Sequence, residues 1–228
     1  MSKYESPIST VDIILMTLID NVPHVMLTKR ENEPFKDKLS LLGGFVFTDK
    51  DKTIEDTFKR VVKSKIGVEN IYFEQLETIG SATRDPRGWS ISISFVSLIP
   101  SEIALKIKPH DKVSQIEWVS IAEIENRDLA FDHKEIINNG FQRIKTKINY
   151  STLPIYLLPE FFTITQLQEV YEAFLGVKID KSGFRKKIKD IPFLKETNEV
   201  TKKNHRPAKL YTAKEEVNIE YFRSNIIV

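Results

Sequence analysis

The sequence predicts a two-part chain: an α/β sandwich with a mixed sheet between helices over residues 1–150, then a winged helix-turn-helix unit over residues 151–228. Three observations point there. Apolar strand patterns alternate with amphipathic helix patterns through the first part. Two short helix patterns, split by a Gly-containing turn and followed by a strand pair, occupy the second. Charge divides along the same line: residues 1–150 hold 21 Lys+Arg against 22 Asp+Glu, whereas residues 178–209 hold 11 against 4.

The first part reads in order as follows. Val11–Ile19 and Val25–Leu27 are strands, and Asp20-Asn21 between them suits a tight turn. Leu39–Val46 is a further apolar run, broken by Gly43-Gly44. Thr53 has the chemistry of a helix N-cap, and Ile54, Phe58, Val61, Val62 and Ile66 recur at helical spacing before Gly67, a C-cap. Ile91, Ile93 and Phe95 alternate with Ser90, Ser92 and Ser94, which gives a strand with one polar face. Ser114–Val119 is one more strand. Asp132 and Glu135 have capping-box spacing before a helix whose stripe is Ile137, Phe141, Ile144 and Ile148.

Lys147–Pro159 reads as the connection, punctuated by Pro154 and Pro159. Thr165 and Gln168 have capping-box spacing before Leu167, Val170, Tyr171 and Phe174, and Gly176 ends that helix. Asp180 caps a second helix that buries Phe184, Ile188 and Ile191. Leu194–Thr197 and Ala208–Thr212 can pair as a hairpin with Lys202, Lys203, Asn204, His205 and Arg206 at its tip.

Composition narrows the class. With 41% hydrophobic residues among 228, the chain can bury a core, and 29% charged is ordinary for a water-soluble protein. There is no cysteine, so disulfides and thiolate metal sites are excluded, and a reducing cytoplasm is the expected compartment. The start, MSKYESPIST, lacks the basic and apolar regions of a signal peptide, and no apolar run reaches membrane-spanning length. The basic segment at 178–209 points to a polyanion partner, with a solvated lysine-rich surface as the alternative.

Residues 43–68 read GGFVFTDKDKTIEDTFKRVVKSKIGV, with a glycine turn, an amphipathic helix, Arg60 and a closing Gly67-Val68. This pattern resembles the Nudix box of magnesium-dependent phosphate hydrolases. Aligned on Arg60 and Gly67, the three carboxylates that follow the arginine in the motif become Val61, Ser64 and Lys65. A metal-assisted hydrolase needs clustered carboxylate oxygens to hold the ion and ready a water. The expected function is therefore to read a nucleotide rather than cut it, with no catalytic residue, no metal ligand and no cofactor.

Five markers in order extend the resemblance along nearly the whole chain: Leu41–Val46, Tyr72–Leu76, Arg84–Trp89, Leu129–His133, and Leu157–Glu160 followed by Phe162–Thr165. Together they resemble the NrtR family of Nudix-related transcriptional regulators of NAD metabolism. That resemblance implies a Nudix-like sensor domain, a winged helix that binds operator DNA as a homodimer, and repression of NAD biosynthesis or salvage genes. It implies ADP-ribose as the effector, with a related pyridine nucleotide as its neighbour; relatives in the superfamily respond to sugars. Two departures touch the ligand loop: Leu42 stands where the motif usually has Pro, and Gly44 to Arg60 is two residues longer than the motif's spacing.

The expected ligand residues follow from chemistry. Taken alone, the Arg84–Trp89 turn reads first as a surface turn whose Arg84 and Arg87 pair with local carboxylates; with the resemblance, Arg84 and Arg87 could clamp a diphosphate bidentately, Asp85 shares their turn, and Trp89 could stack on a base or pack the core. Gly44 and Phe45 would bring the loop close, with Arg30 as a further cation beside Glu31. On the DNA side, Arg185 and Lys186 are assigned to base edges, with Ser182 beside them. Thr163, Thr165, Lys181, Lys189, Lys202 and Lys203 are assigned to phosphates, and His205 and Arg206 to the wing. The competing reading is an ADP-ribose hydrolase in which Glu55, Asp56, Glu74 or Glu77 replaces the lost ligands.

Overall fold

The computed structural model describes residues 6–110, 113–188, 191, 194–201, 207–213 and 219–227. The first part is a mixed sheet between helices. Strands β1 (Ile8–Ile19), β2 (Val22–Lys29), β3 (Leu39–Ser40), β4 (Leu42–Phe45), β5 (Tyr72–Ser81), β6 (Ser90–Leu98) and β7 (Ile116–Ser120) form it. Helix α1 (Ile54–Ile66) and the single turn α2 (Ser101–Ala104) lie on one face, and α3 (His133–Ile148) on the other.

The long strand β1 explains the layering. Val11, Ile13 and Leu15 point to α1, while Ile14, Met16 and Leu18 point away from it to α3, so the run is apolar without alternation. One edge of β1 is shared: Thr10–Ile13 pair with β4 and Met16–Ile19 with β2, both antiparallel. Its other edge pairs with β6 in parallel. Asp20 and Asn21 both have positive φ, as a two-residue hairpin with the sheet's twist requires.

Each helix is set by its own signals. Thr53 and Asp56 form a reciprocal capping box on α1, and Gly67 ends it in the left-handed conformation at φ 67°. Phe58, Val61, Val62 and Ile66 are its buried stripe, and Phe58 stacks on Phe73 with ring centroids 4.2 Å apart. On α3, Ile136, Ile137, Ile144 and Ile148 are buried against the sheet. Gly140 lets that helix approach: a Cβ there would stand 2.4 Å from Ile14 Cδ1.

The second part contains α4 (Ile164–Leu175), α5 (Lys181–Ile188) and the hairpin β8 (Leu194–Val200) with β9 (Lys209–Ala213). Gly176, at φ 74°, closes α4. Asp180 Oδ2 accepts the Gly183 N–H at 2.7 Å and caps α5. Phe162 and Tyr211 exchange two backbone hydrogen bonds, docking the hairpin beside the start of α4.

Two helix-cap expectations are corrected, and two other elements gain detail. The expected polar face of β6 is present and lies inside: Ser90, Ser92 and Ser94 are fully buried, with Ser90 bonded to Arg84 and Ser92 to Asp12. Asp132 does not cap α3 with its side chain, since Arg84 takes both of its oxygens. The cap of α4 is Thr163, paired with Gln166, two residues before the expected position. The segment after α3 connects the two parts and is largely buried. Residues Leu153–Leu157 form a buried 3₁₀ turn, and Tyr171 Oη donates to Ser151 O at 2.7 Å. One continuous apolar cluster runs from Ile14 in the sheet through Ile155 to Ile188 in α5.

Residues 219–227 lie across the junction. Thr152 N donates to Glu220 O of this tail, Phe222 N and Ile226 N of the tail donate to Tyr150 O and Asn149 O, and Lys187 of α5 donates to Ser224 Oγ at 3.2 Å.

Candidate functional site

A cleft of about 370 Å³ opens where β4 and β2 part from β1. Its floor is Asp12, which stands alone as an acid in the apolar run of β1. Gly43 of β4 lies directly opposite Asp12, and a Cβ there would stand 2.5 Å from Asp12 Oδ1 and 2.8 Å from Val11 O. Only glycine permits that approach. Gly44 is equally constrained, since a Cβ would meet Val61 Cγ2 at 2.8 Å. Asp12 Oδ2 accepts from Ser92 Oγ at 2.6 Å.

His133, at the start of α3, faces the same acid. Its Nδ1 accepts the Leu41 N–H at 2.9 Å, and its Nε2 lies 3.6 Å from Asp12 Oδ1. The Leu41 bond fixes Nδ1 as the acceptor, and burial pushes the imidazole pKa below its ordinary value.

The cleft is rich in cations with different partners. Arg84, 5% exposed, donates to Asp132 through Nε and Nη2 at 2.8 Å each and lies 3.5 Å from Asp12. Burial opposes its charge, but the bonds and charge of Asp132, with Asp12 and Asp85, outweigh that and raise its pKa. Arg87 is paired with the buried Asp85 at 2.6 Å, and its hydrogen bonds hold that carboxyl below the usual range. Arg60 donates to both oxygens of Asp51 at 2.7 Å and to Phe45 O at 2.8 Å. Asp51 also accepts from Phe47 N and Thr57 Oγ1, so it organises the lengthened loop before α1. Arg30 donates to Pro34 O at 2.8 Å and lies 4.7 Å over the Phe131 ring; burial and the charge of Arg87 lower its pKa. Arg87 also lies over Phe45 and Phe131, at 5.1 and 5.8 Å.

Of the expected ligand residues, Arg30, Gly44, Phe45, Arg84, Asp85 and Arg87 line this cleft, and Trp89 does not. Trp89 is half exposed, near Gly80 of β5. Arg84 reaches the cleft wall, but its guanidinium is engaged by Asp132, so it acts as a strut between the turn before β6 and α3. The sequence reading missed Asp12, Phe131 and the Asp51–Arg60 pair. A lone carboxylate in an apolar strand was the available signal for Asp12.

The second candidate surface is α5. Lys181, Ser182, Arg185 and Lys186 are exposed on it, opposite the buried Phe184 and Ile188. Ser182 Oγ donates to Asp180. Thr165 is exposed on the first turn of α4, whereas Thr163 is buried and its hydroxyl is the helix cap. Lys189, Lys202, Lys203, His205 and Arg206 lie outside the described residues.

Comparison with known proteins agrees with this two-part architecture. A NUDIX domain model matches residues 9–140, and a model described as the NrtR DNA-binding winged helix domain matches residues 154–213. The chain is 36% identical over 210 residues to the ADPR responsive transcriptional repressor NtrR of Acinetobacter baylyi, covering 92% of this chain and 83% of that protein. The chain belongs to the NrtR family. The crystal structure of Shewanella oneidensis NrtR complexed with a 27mer DNA superposes with a TM-score of 0.84 at 33% identity, over 95% of this chain and 98% of that one. The ADP-ribose pyrophosphatase of Methanocaldococcus jannaschii is 33% identical over 122 residues, 54% of this chain and 68% of that one.

The divalent ion of Nudix hydrolases does not fit the box of this NrtR-family member. Val61 is buried in the apolar core and packs on Gly44. Ser64 Oγ turns back to Val61 O at 3.4 Å. Lys65 Nζ donates to Gly43 O at 2.6 Å, placing an ammonium in the cleft wall. Among the described residues, no group of three or more His, Cys, Asp or Glu side chains is arranged to hold a metal, and no helix is long and apolar enough to cross a membrane.

Proposed function

We propose that this chain is an ADP-ribose-responsive transcriptional repressor of NAD biosynthesis or salvage genes, acting in the cytoplasm as a homodimer on operator DNA. The observation that carries the reading is the exposed face of α5, with Lys181, Ser182, Arg185 and Lys186 projecting from a capped helix behind a Nudix cleft. Support for ADP-ribose is that both curated relatives are named for it and that Arg30, Arg87 and Phe131 line the cleft together. Guanidinium groups suit a diphosphate, and an aromatic face suits a base.

In this reading the Nudix domain binds without hydrolysing, since a valine, a serine and a lysine occupy the carboxylate positions of the box. The ligand must bind one arrangement of the two winged helices more tightly than the other, because equal affinity shifts nothing.

The test is titration of promoter DNA beside the chain's own gene with purified protein at fixed, near-physiological salt, with and without ADP-ribose. Specific binding released by ADP-ribose is expected. Specific binding that ADP-ribose leaves unchanged would end the assigned effector, and binding to all DNA alike would end the operator reading.

A further inference from the structure

The disagreement between the Nudix box and a metal has a positive side. The helix that would carry the carboxylates instead presents Lys65, in the last turn of α1, with Nζ 2.6 Å from Gly43 O. That carbonyl is held rigidly: Gly43 pairs with Asp12 of β1, and its backbone has no room for a side chain. The ammonium therefore bridges the last turn of α1 and the glycine strand, at the wall of the cleft that Gly44 and Phe45 also line. A divalent ion would need several oxygen ligands at about 2.0–2.1 Å for magnesium, and the three box positions that carry them in Nudix hydrolases hold an aliphatic, a hydroxyl turned to backbone, and a cation that would repel it.

We propose that Lys65 supplies the positive charge which a metal would otherwise bring: its ammonium faces the diphosphate of the ligand, and binding proceeds without any divalent ion. The inference rests on the ADP-ribose reading of this cleft. An ammonium meets phosphate oxygens as a point charge through charge-assisted hydrogen bonds, and a half-enclosed cleft screens it less than open water does. The lysine also makes the absence of hydrolysis a property of the binding mode. An ammonium offsets part of the diphosphate's negative charge but cannot lower the pKa of a bound water as a metal does.

The experiment is calorimetric titration of the full chain with ADP-ribose, once in EDTA and once in millimolar magnesium, for the parent, Lys65→Gln and Lys65→Arg. The parent should bind equally in both buffers, within about twofold. Lys65→Gln should bind at least tenfold more weakly in both, and Lys65→Arg should recover most of the loss. Binding of the parent that appears only with magnesium would overturn the inference and leave the ligand reading standing. Equal binding by Lys65→Gln and the parent would also overturn it. No binding by the parent in either buffer would overturn the ligand reading itself, and the inference with it. The comparison of buffers on the parent needs no variant, so poor folding of Lys65→Gln would not protect the idea.

Discussion

Arg84 holds Asp132 by two parallel bonds of 2.8 Å, and this pair fastens the turn before β6 to the first turn of α3. Both side chains are largely withdrawn from water. Removing one partner of such a pair leaves a buried charge without compensation, at a cost of about 3–5 kcal/mol. Arg84→Ala should therefore lower unfolding stability by about 3 kcal/mol in urea titrations. Arg84→Lys should recover only part, because an ammonium cannot reproduce the fork. A stability unchanged by Arg84→Ala would mean that the guanidinium is held for the ligand instead.

Arg30 provides the contrast. Its bonds go to the carbonyls of Pro34 and Asn32, and its guanidinium lies over Phe131 in the cleft. Arg30→Ala should leave the melting temperature close to the parent's and weaken ADP-ribose binding by about tenfold or more, the value of one or two charge-assisted bonds. Parallel melting and calorimetry separate the two arginines; a melting loss as large as that of Arg84→Ala would remove the distinction.

His133 sets a pH dependence. Its pKa is depressed by burial, so the folded chain keeps it neutral while the unfolded chain takes up a proton below about pH 6.5. In that window the unfolded state binds more protons, and stability falls as pH falls, by up to about 1.4 kcal/mol per unit for this one group. The parent should lose stability between pH 6.5 and pH 5, and His133→Gln should show a shallower slope. Asp51 and Asp85 have lowered carboxyl pKa values, so their contributions persist through this window and disappear only in stronger acid. Equal slopes for parent and variant would show that His133 does not titrate as the fold requires.

Gly140 tests the seam between α3 and the sheet. Alanine is the better helix former by about 1 kcal/mol, yet its methyl would stand 2.4 Å from Ile14 Cδ1 in a packed core. Overpacking of this kind costs about 1–3 kcal/mol. Gly140→Ala should be net destabilising by about 1 kcal/mol, seen as a lower urea midpoint with an unchanged slope. A gain in stability would mean that Ile14 yields at little cost.

On α5, Arg185→Ala should weaken operator binding by about 1–3 kcal/mol and relax sequence choice, with ADP-ribose affinity unchanged. Lys181→Ala should weaken binding to all DNA and reduce the salt slope by about one. Operator binding by both variants equal to the parent's would remove α5 as the reading element.

The helices were largely legible because their signals are local. Thr53, Gly67, Gly176 and Asp180 each stand where the sequence places them, since a cap is read from a few neighbouring residues. The strand β5 was not legible: its polar residues and the bulge between Gln75 and Glu77 break the alternation. The cap of α4 was misread by two residues because Thr163 with Gln166 and Thr165 with Gln168 offer the same local spacing; the cap at Asp132 was misread because a tertiary partner, Arg84, takes both of its oxygens. The same holds in the cleft. Sequence named Arg84 and Arg87 from their spacing, but that Arg84 belongs to Asp132, 48 residues away, is a property of the assembled sheet and helix.

Helix α3 is also a rod of sixteen residues, about 24 Å long. One end carries His133 into the cleft. The other leads directly to Asn149 and Tyr150, which grip the tail that Lys187 of α5 touches. Were this rod to tilt about its midpoint, the lining of the cleft and the footing of α5 would move together, in opposite directions. That midpoint is Gly140, pressed on Ile14 with no side chain between them, which is where a lever needs its pivot.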